Sequence, residues 1–450
     1  MTANAGGTTI APFVLLDGGR DSLTGGAKMI DINLIREQPD VVRDGMVKRG
    51  IDPAPVDEAV ELDVKWRLLL KQGEKLKAER NKVSKEIGKM KDEKQRQEKI
   101  EAMRQVADEI KSIDEELRVV EEELNQVMSI IPNVPDEKVP EGFTDDDNIE
   151  VKRWGEHPEF DFDPKPHWEL GPELGIIDFE RGVKLSGTRF YVLSGAGARL
   201  QRALISYFLD LHARQGYLEK YTPFIVKGDV LYGAGQLPKF KDNLYRDYEE
   251  DFYLLPTSEV SLTGLHKDEI IEEEQLPLYY TAYSPCFRRE KMSAGRDVRG
   301  IKRGHQFDKV EMYKYCLPEK SIEELDKMVA DAEETCQKLG IPYRIVLKCA
   351  GDTSEAALIS YDIEAWAAGC QEWLEISSIS NVGDFQARRS AIRYRPKDGG
   401  DPRPLHTLNG SGLALPRVMI TILENFQQAD GSVLVPEVLH PWMGGLERIV

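Results

Sequence analysis

Long apolar runs are missing from this 450-residue chain. No stretch approaches the roughly 20 residues that cross a bilayer as a helix, and the apolar segment from Ile10 to Leu16 lacks the preceding basic residues of a secretory signal. A cytoplasmic protein with no membrane span is expected. Cysteine is scarce too. The five, at 286, 316, 336, 349 and 370, form neither a Cys-x-x-Cys pair nor a compact Cys/His group, so neither a disulfide framework nor a zinc site is expected. Also absent are a Gly-x-Gly-x-x-Gly fingerprint after a first strand and a Walker loop, which argues against a doubly wound parallel nucleotide fold. Strands and helices alternate too irregularly for repeated βαβ units, and an α+β fold with an antiparallel sheet flanked by helices fits better.

Proline is absent from residues 57 to 131, which hold only two glycines, Gly73 and Gly88. Leu69, Leu76, Val83 and Met90 fall every seventh residue, and from Met103 to Ile131 the apolar positions alternate three and four apart. Two helices with heptad seams follow. The polar stretch from Lys91 to Lys99 interrupts both seams, so an antiparallel helical hairpin (coiled coil) turning near there is expected, reaching on the order of 50 Å. Basic charge is in deficit overall, at a net of -19, yet Lys65 to Lys99 carries 13 Lys and Arg against 6 Asp and Glu. A basic hairpin suits nucleic-acid phosphates; a solvated coiled-coil interaction arm is the alternative. Residues 1 to 28, rich in Gly, Thr and Ala, read as a disordered extension. Residues 29–131 form the arm, 132–150 a linker marked by Pro132, Pro135 and Asp145 to Asp147, and 151–450 a second domain.

Chemistry concentrates between Pro285 and Glu311. The chain reads Pro285-Cys286-Phe287-Arg288-Arg289-Glu290, then a loop with Gly295 and Gly300, then Arg303-Gly304-His305-Gln306-Phe307-Asp308-Lys309-Val310-Glu311. Phe287, Phe307 and Val310 lie in runs of strand-type residues, so two strands flanking a loop are expected. Arg288 and Glu290, two apart, would face one side of a strand, one gripping phosphate and the other accepting from an amino group. A charged hairpin at a sheet edge is the plainer alternative. This order resembles motif 2 of the class II aminoacyl-tRNA synthetases, and its closing residues resemble those of the seryl-tRNA synthetases. Met29 to Glu37 is similar to the opening of the bacterial type. A helix over 194–215, with Leu200, Leu204, Phe208 and Leu211 on one face, leads to a strand carrying Thr222-Pro223-Phe224 and resembles motif 1. Asn409 to Arg417 resembles motif 3, with Pro416 where the family more often has glycine.

The resemblance implies a class II catalytic domain over 151–450 and an enzyme that makes seryl-adenylate from serine and ATP. The seryl group would pass to the 3′ end of tRNA(Ser), and of tRNA(Sec) where that exists, held by the basic arm of a homodimer. By the same resemblance, Arg288 contacts the α-phosphate and the serine carboxylate, Glu290 the adenine amino group and Arg303 the γ-phosphate. Phe307 and Arg417 take the two faces of adenine, Arg289 and Gly304 complete the motif 2 contacts, and Arg288 and Arg417 are the catalytic pair. Glu375, Ile376, Ser377 and Ser378 belong to the ATP site, with Glu375 and Ser378 as Mg2+ ligands. Strand alternation would put Glu375 and Ser377 on one face. Thr257, Ser258, Glu259, Glu311 and Ser411, with Arg288, are implied to bind serine, and Gly233 to Phe240 to cover the site. Two alternatives stand. A paralogue loading a non-tRNA acceptor should lack the arm, and a non-catalytic coiled-coil RNA-binding protein should lose Arg288, Glu290, Glu311 or Arg417.

Overall fold

The computed structural model describes residues 30–291 and 298–450. The extension expected over residues 1–28, together with Met29 and Gly295, lies outside the described residues. Four helices come first: α1 (Ile32–Glu37), α2 (Pro39–Lys48), α3 (Ala54–Ile87) and α4 (Glu93–Met128). Ion pairs tie Lys65 to Glu116, Lys77 to Asp114 and Lys99 to Glu86, so α3 and α4 run antiparallel. Ile110, Ile113, Val120 and Leu124 are the buried seam of α4, and Gly73 lets α3 approach Ile113 closely. The turn is shorter than expected. It occupies residues 88–92, and most of the polar stretch is already helical because Asp92 accepts from the amides of Lys94 and Gln95 at 3.0 and 3.1 Å. Polar residues favour N-caps, and an exposed two-helix arm has little core to fill, so polarity there did not mean a loop.

The second part is built on one eight-stranded sheet. Its strands, in chain order, are β1 (Ile149–Trp154), β2 (Leu218–Glu219), β3 (Leu278–Phe287), β4 (Gln306–Cys316), β5 (Tyr343–Leu347), β6 (Ile359–Ala367), β7 (Glu372–Gly383) and β8 (His406–Ala414). They lie in the order β1-β5-β6-β7-β8-β4-β3-β2, and every neighbouring pair is antiparallel except β2 with β3. Five helices matter for the site: α5 (His167–Glu173), α6 (Gly195–Arg214), α7 (Ser258–Gly264), α8 (Ser321–Leu339) and α9 (Leu415–Asn425). Leu200, Leu204 and Phe208 of α6, Met328 of α8 and Val418 and Met419 of α9 share one core with the sheet. The segment Thr222-Pro223-Phe224 is not a strand. It joins β2 to the short strand Ile225–Lys227, consistent with a proline that offers no N–H to a ladder.

Two arginines, one buried and one half-buried, fix the arm's base. Arg49 donates to the carbonyls of Asn133, Ala350, Thr353, Ser354 and Ala357, and Arg388 pairs with Asp31 at 2.9 Å. Among the described residues no helix is long and apolar enough to cross a membrane.

Candidate active site

The long antiparallel pairs set the register of the site. Cys286 lies opposite Phe307 and Ala282 opposite Glu311 on β3 and β4, while Glu311 lies opposite Ser411 on β8. A cavity of about 400 Å³ opens over these central strands. Arg288, Glu290, Arg303, Gly304, Phe307, Glu375, Ser378, Ser411, Glu259 and Arg417 all line it. These ten come from five stretches of sequence, and the fold brings them together.

The two arms of the motif 2 region meet as a hairpin, but Arg288 and Glu290 do not face one way by strand alternation. β3 ends at Phe287. Beyond it the Arg288 amide donates to the His305 carbonyl at 2.9 Å, and Glu290 takes a left-handed φ of 49°, a conformation disfavoured for side-chain-bearing residues. That twist, held by Arg189 donating to the Glu290 carbonyl at 3.3 Å, turns Glu290 back to the cavity. Its carboxylate lies 3.9 Å from Arg303. The Arg288 guanidinium lies over the Phe307 ring, 5.2 Å from its centroid. Arg289 is off the cavity lining, its guanidinium over Tyr245 at 5.9 Å.

Glu375 and Ser377 do not share a face either. The β6–β7 register shifts between Ile363 and Glu364, where Ile363 meets Ser377 and Glu364 meets Glu375. Ile376 is therefore the extra residue of a β-bulge, which breaks the two-residue period. Glu375, Ser378 and Ser380 reach the cavity, Ile376 is buried in the core, and Ser377 donates to the Ser411 carbonyl at 2.5 Å. The surrounding protein wall works against the charge of Glu375, but Arg417, Lys348, Arg288 and Arg303 outweigh it and hold the carboxyl down at about 2. Across the ladder from Ser378, Asp362 is pushed upward by burial and by the charge of Glu375; one of its oxygens is buried without a hydrogen bond. Arg417 donates to the Glu375 carbonyl at 2.6 Å. Pro416 sits in the first turn of α9, where its missing N–H costs nothing, so it leaves the helix intact and lines the cavity beside Arg417.

Deeper in, Thr257 caps α7 and its hydroxyl donates to Glu311 at 2.8 Å while accepting from Lys309 at 2.8 Å. Lys309 also pairs directly with Glu311. Glu311 is fully buried, just behind the lining, and its other oxygen has no hydrogen bond. Ser258 points away to Ser284 at 2.6 Å. Glu259 accepts from Gln386 at 2.7 Å, and burial together with the charge of Glu311 raises its pKa to about 7. The sequence reading gave no role to Lys309, Lys302, Asn409 or Ser380, which also line the cavity. Gly235, Gln236 and Phe240 of the expected covering loop line it as well.

Known proteins match this chain along its length. Residues 29–135 match the family "Seryl-tRNA synthetase N-terminal domain" and residues 239–426 match "tRNA synthetase class II core domain (G, H, P, S and T)". A serine–tRNA ligase of Roseiflexus sp. (strain RS-1) is 61% identical over 421 residues, covering 94% of this chain and 99% of its own. The chain belongs to the seryl-tRNA synthetase family. Another family member, the serine–tRNA ligase of Chloroflexus aurantiacus (strain ATCC 29366 / DSM 635 / J-10-fl), is 58% identical over 94% of this chain and all of its own. Among solved structures, the seryl-tRNA synthetase of Pyrococcus horikoshii complexed with ATP superposes with a TM-score of 0.90 at 38% identity, covering 94% of this chain and 99% of that one. A prolyl-tRNA synthetase of Giardia lamblia, at 14% identity and a TM-score of 0.53, shares the fold.

Proposed function

We propose that this cavity joins serine to ATP and then hands the seryl group to tRNA(Ser). The observation that carries the reading is the convergence of Arg288, Arg303, Arg417, Phe307 and an ionised Glu375 with Glu259, Lys309 and Ser411 in one cavity. A carboxylate oxygen of serine attacks the α-phosphorus of ATP; a P–O bond forms, the bond to the bridging oxygen breaks, and pyrophosphate leaves with the electron pair. Nothing covalent is asked of the protein, only placement and charge neutralisation. Arg288 serves the α-phosphate and the carboxylate, Arg303 the γ-phosphate, Glu290 the adenine amino group, and Phe307 and Arg417 its faces. Arg289 and Gly304 support the loop, and Ile376 and Ser377 back the strand behind the phosphates.

Mg2+ fits the residues present. The Glu375 carboxylate and the Ser378 hydroxyl offer hard oxygen donors on the cavity wall, and such an ion, keeping most of its waters, neutralises phosphate charge when bound. The serine ammonium is received by Glu259 with Thr257 and Glu311, and the hydroxyl by polar groups near Ser411. Such a site disfavours alanine by leaving its own groups unpaired. In the second step a terminal ribose hydroxyl of tRNA attacks the seryl carbonyl and AMP leaves.

The same reading assigns residues 29–131 to a tRNA-binding arm, 132–150 to a linker and 151–450 to the catalytic domain. Exposed Lys71, Lys75, Lys82 and Lys85 recur at helical spacing on α3, with Lys89 exposed in the turn just beyond it, and suit a phosphate backbone. A cytoplasmic homodimer is part of the proposal, supported by the exposed Leu218, Tyr221 and Ile225 beside the motif 1 region, and tRNA(Sec) is a further acceptor. The test is serine-dependent exchange of labelled pyrophosphate into ATP without tRNA, with alanine, threonine and glycine as competitors. Strong exchange with serine alone is expected. Exchange without subsequent charging of tRNA(Ser) favours a different acceptor, and no exchange from a folded, ATP-binding protein overturns the catalytic reading.

A further inference from the structure

Outside the cavity, helix α5 makes a dense set of polar and aromatic contacts. Among the described residues, one group of histidine, cysteine and acidic side chains brings its ligand-type atoms within 4.8 Å of one another: His167, Cys370 and Glu424. Hydrogen bonds already engage these atoms. Glu424 of α9 accepts from the His167 amide at 2.9 Å and ring Nδ1 at 2.7 Å, from the Cys370 thiol at 3.0 Å, and from the amides of Gly369 and Cys370. A backbone N–H can only donate, so the Ile301 amide, 3.1 Å from the other ring nitrogen, fixes Nε2 as acceptor and Nδ1 as the protonated atom. The fully buried imidazole is thus a bridge from α9 to the chain that leads into Arg303.

Further contacts grip the same stretch, and Lys302 is also ion-paired with Glu372. Arg299 lies over the Trp168 ring at 4.4 Å and Lys302 at 5.1 Å. Gly300 has a φ of 67°, and a Cβ there would sit 1.9 Å from His167 Nε2. At the far end, Arg288 and His305 are joined through the backbone at 2.9 Å. The few residues between Gly300 and His305 are therefore pinned at both ends, and Lys302, Arg303 and Gly304, which line the cavity, fall inside that span.

We propose that His167 and Trp168 form a clamp that sets residues 299–304 and so places Arg303 for the phosphates of ATP. Both are positioning residues, since neither lines the cavity. The inference rests on the ATP reading above, and it adds a specificity-neutral element: the clamp acts on nucleotide binding and leaves serine recognition alone. Trp168 is the residue to change, because it is only partly buried and its removal leaves the His167 bridge and the core in place.

The experiment compares wild type with Trp168→Leu, which keeps apolar bulk but removes the ring face, and Trp168→Phe, which restores a weaker face. KM for ATP and for serine are measured by pyrophosphate exchange, ATP affinity by calorimetry, and Tm by thermal melting. With two cations released from one ring, Trp168→Leu should raise KM and Kd for ATP by roughly 3- to 30-fold, leave KM for serine within twofold and barely move Tm, while Trp168→Phe recovers much of the loss. The clamp is overturned if ATP parameters are unchanged in Trp168→Leu, if both substrates weaken in proportion, or if Phe is no better than Leu. Wild type that binds ATP but shows no exchange overturns the functional reading while calorimetry still reads the clamp. Wild type that binds no ATP overturns both.

Discussion

Changing Glu259 to glutamine should remove a pH dependence that the buried site imposes on serine recognition. Glu259 lines the cavity and accepts from Gln386 at 2.7 Å. Burial and the neighbouring Glu311 charge raise its pKa to about 7, so the ionised form that an ammonium prefers fills as pH rises. About 10% is ionised at pH 6 and about 90% at pH 8, so kcat/KM for serine should climb roughly tenfold across that window, with an inflection near 7. In Glu259→Gln the charge-assisted contact is gone, worth about 1.5–3 kcal/mol. That is roughly a 10- to 150-fold loss of kcat/KM for serine at pH 8, with a flat profile and unchanged KM for ATP. Stability moves in the other direction. The folded pKa lies above the unfolded one, so the group's stabilising contribution is complete below the ordinary glutamate range and is lost as pH rises through about 7. The variant should therefore gain thermal stability relative to wild type at pH 8 more than at pH 4.5. A flat wild-type serine profile between pH 6 and 8, or an inflection that survives in the variant, would falsify this account of Glu259.

Other expectations separate the arm, the cavity and the joint between them. Arg288→Ala should reduce pyrophosphate exchange at least 100-fold, on the order of the loss of a key charge-stabilising donor, with tRNA affinity by filter binding nearly intact; parallel loss of both would join what is here kept apart. Reversing Lys75, Lys82, Lys85 and Lys89 to glutamate should lower the kcat/KM of tRNA charging by tenfold or more and flatten its salt dependence, by about three in the log–log slope if all four contact phosphate, while exchange stays normal. Unaltered charging would remove the arm from tRNA binding. Arg49→Met orphans the carbonyls of Asn133, Ala350, Thr353, Ser354 and Ala357; a loss of about 3 kcal/mol in the first transition of a urea melt is expected, and an unchanged midpoint would show that the joint is held elsewhere.

Residue identity is legible mainly through resemblance to the class II motifs: Arg303, Phe307 and Arg417 carry no signal in their own spacing, only Arg288 and Glu290 do, yet all five line one cavity. Orientation was less legible, because it depends on backbone events that leave weak marks in sequence. The bulge at Ile376 replaces Ser377 by Ser378 on the cavity wall, and no glycine announces it. The left-handed Glu290 is contacted at its carbonyl by Arg189, about a hundred residues away in the chain, and local propensity has no access to such a partner. Asp92, by contrast, is a legible N-cap: an aspartate at the head of a long helical run is a start signal, masked only by the polar residues that follow it.

Lys309 shows what a stricter physical reading of one strand could have recovered. From Lys309 to Cys316 every residue of β4 is buried, and the sequence already hints at this, since Val310, Met312, Tyr313, Tyr315 and Cys316 place apolar side chains at both parities. A strand that is apolar on both faces has no solvated side. Any charge within it must then find a partner, because an isolated buried charge costs several kcal/mol. Three charges fall in this run, Lys309, Glu311 and Lys314. Lys309 and Glu311 are two apart and so share a face, where they pair; Lys314, of the opposite parity to both, needs a partner from another element and finds Glu324 of α8 at 3.0 Å. The parity of a charge in a two-sided strand thus separates those that can pair within the strand from those that need a packed helix. Only the first pair adjoins the cavity, and so Lys309, not Lys314, is the lysine expected to touch substrate.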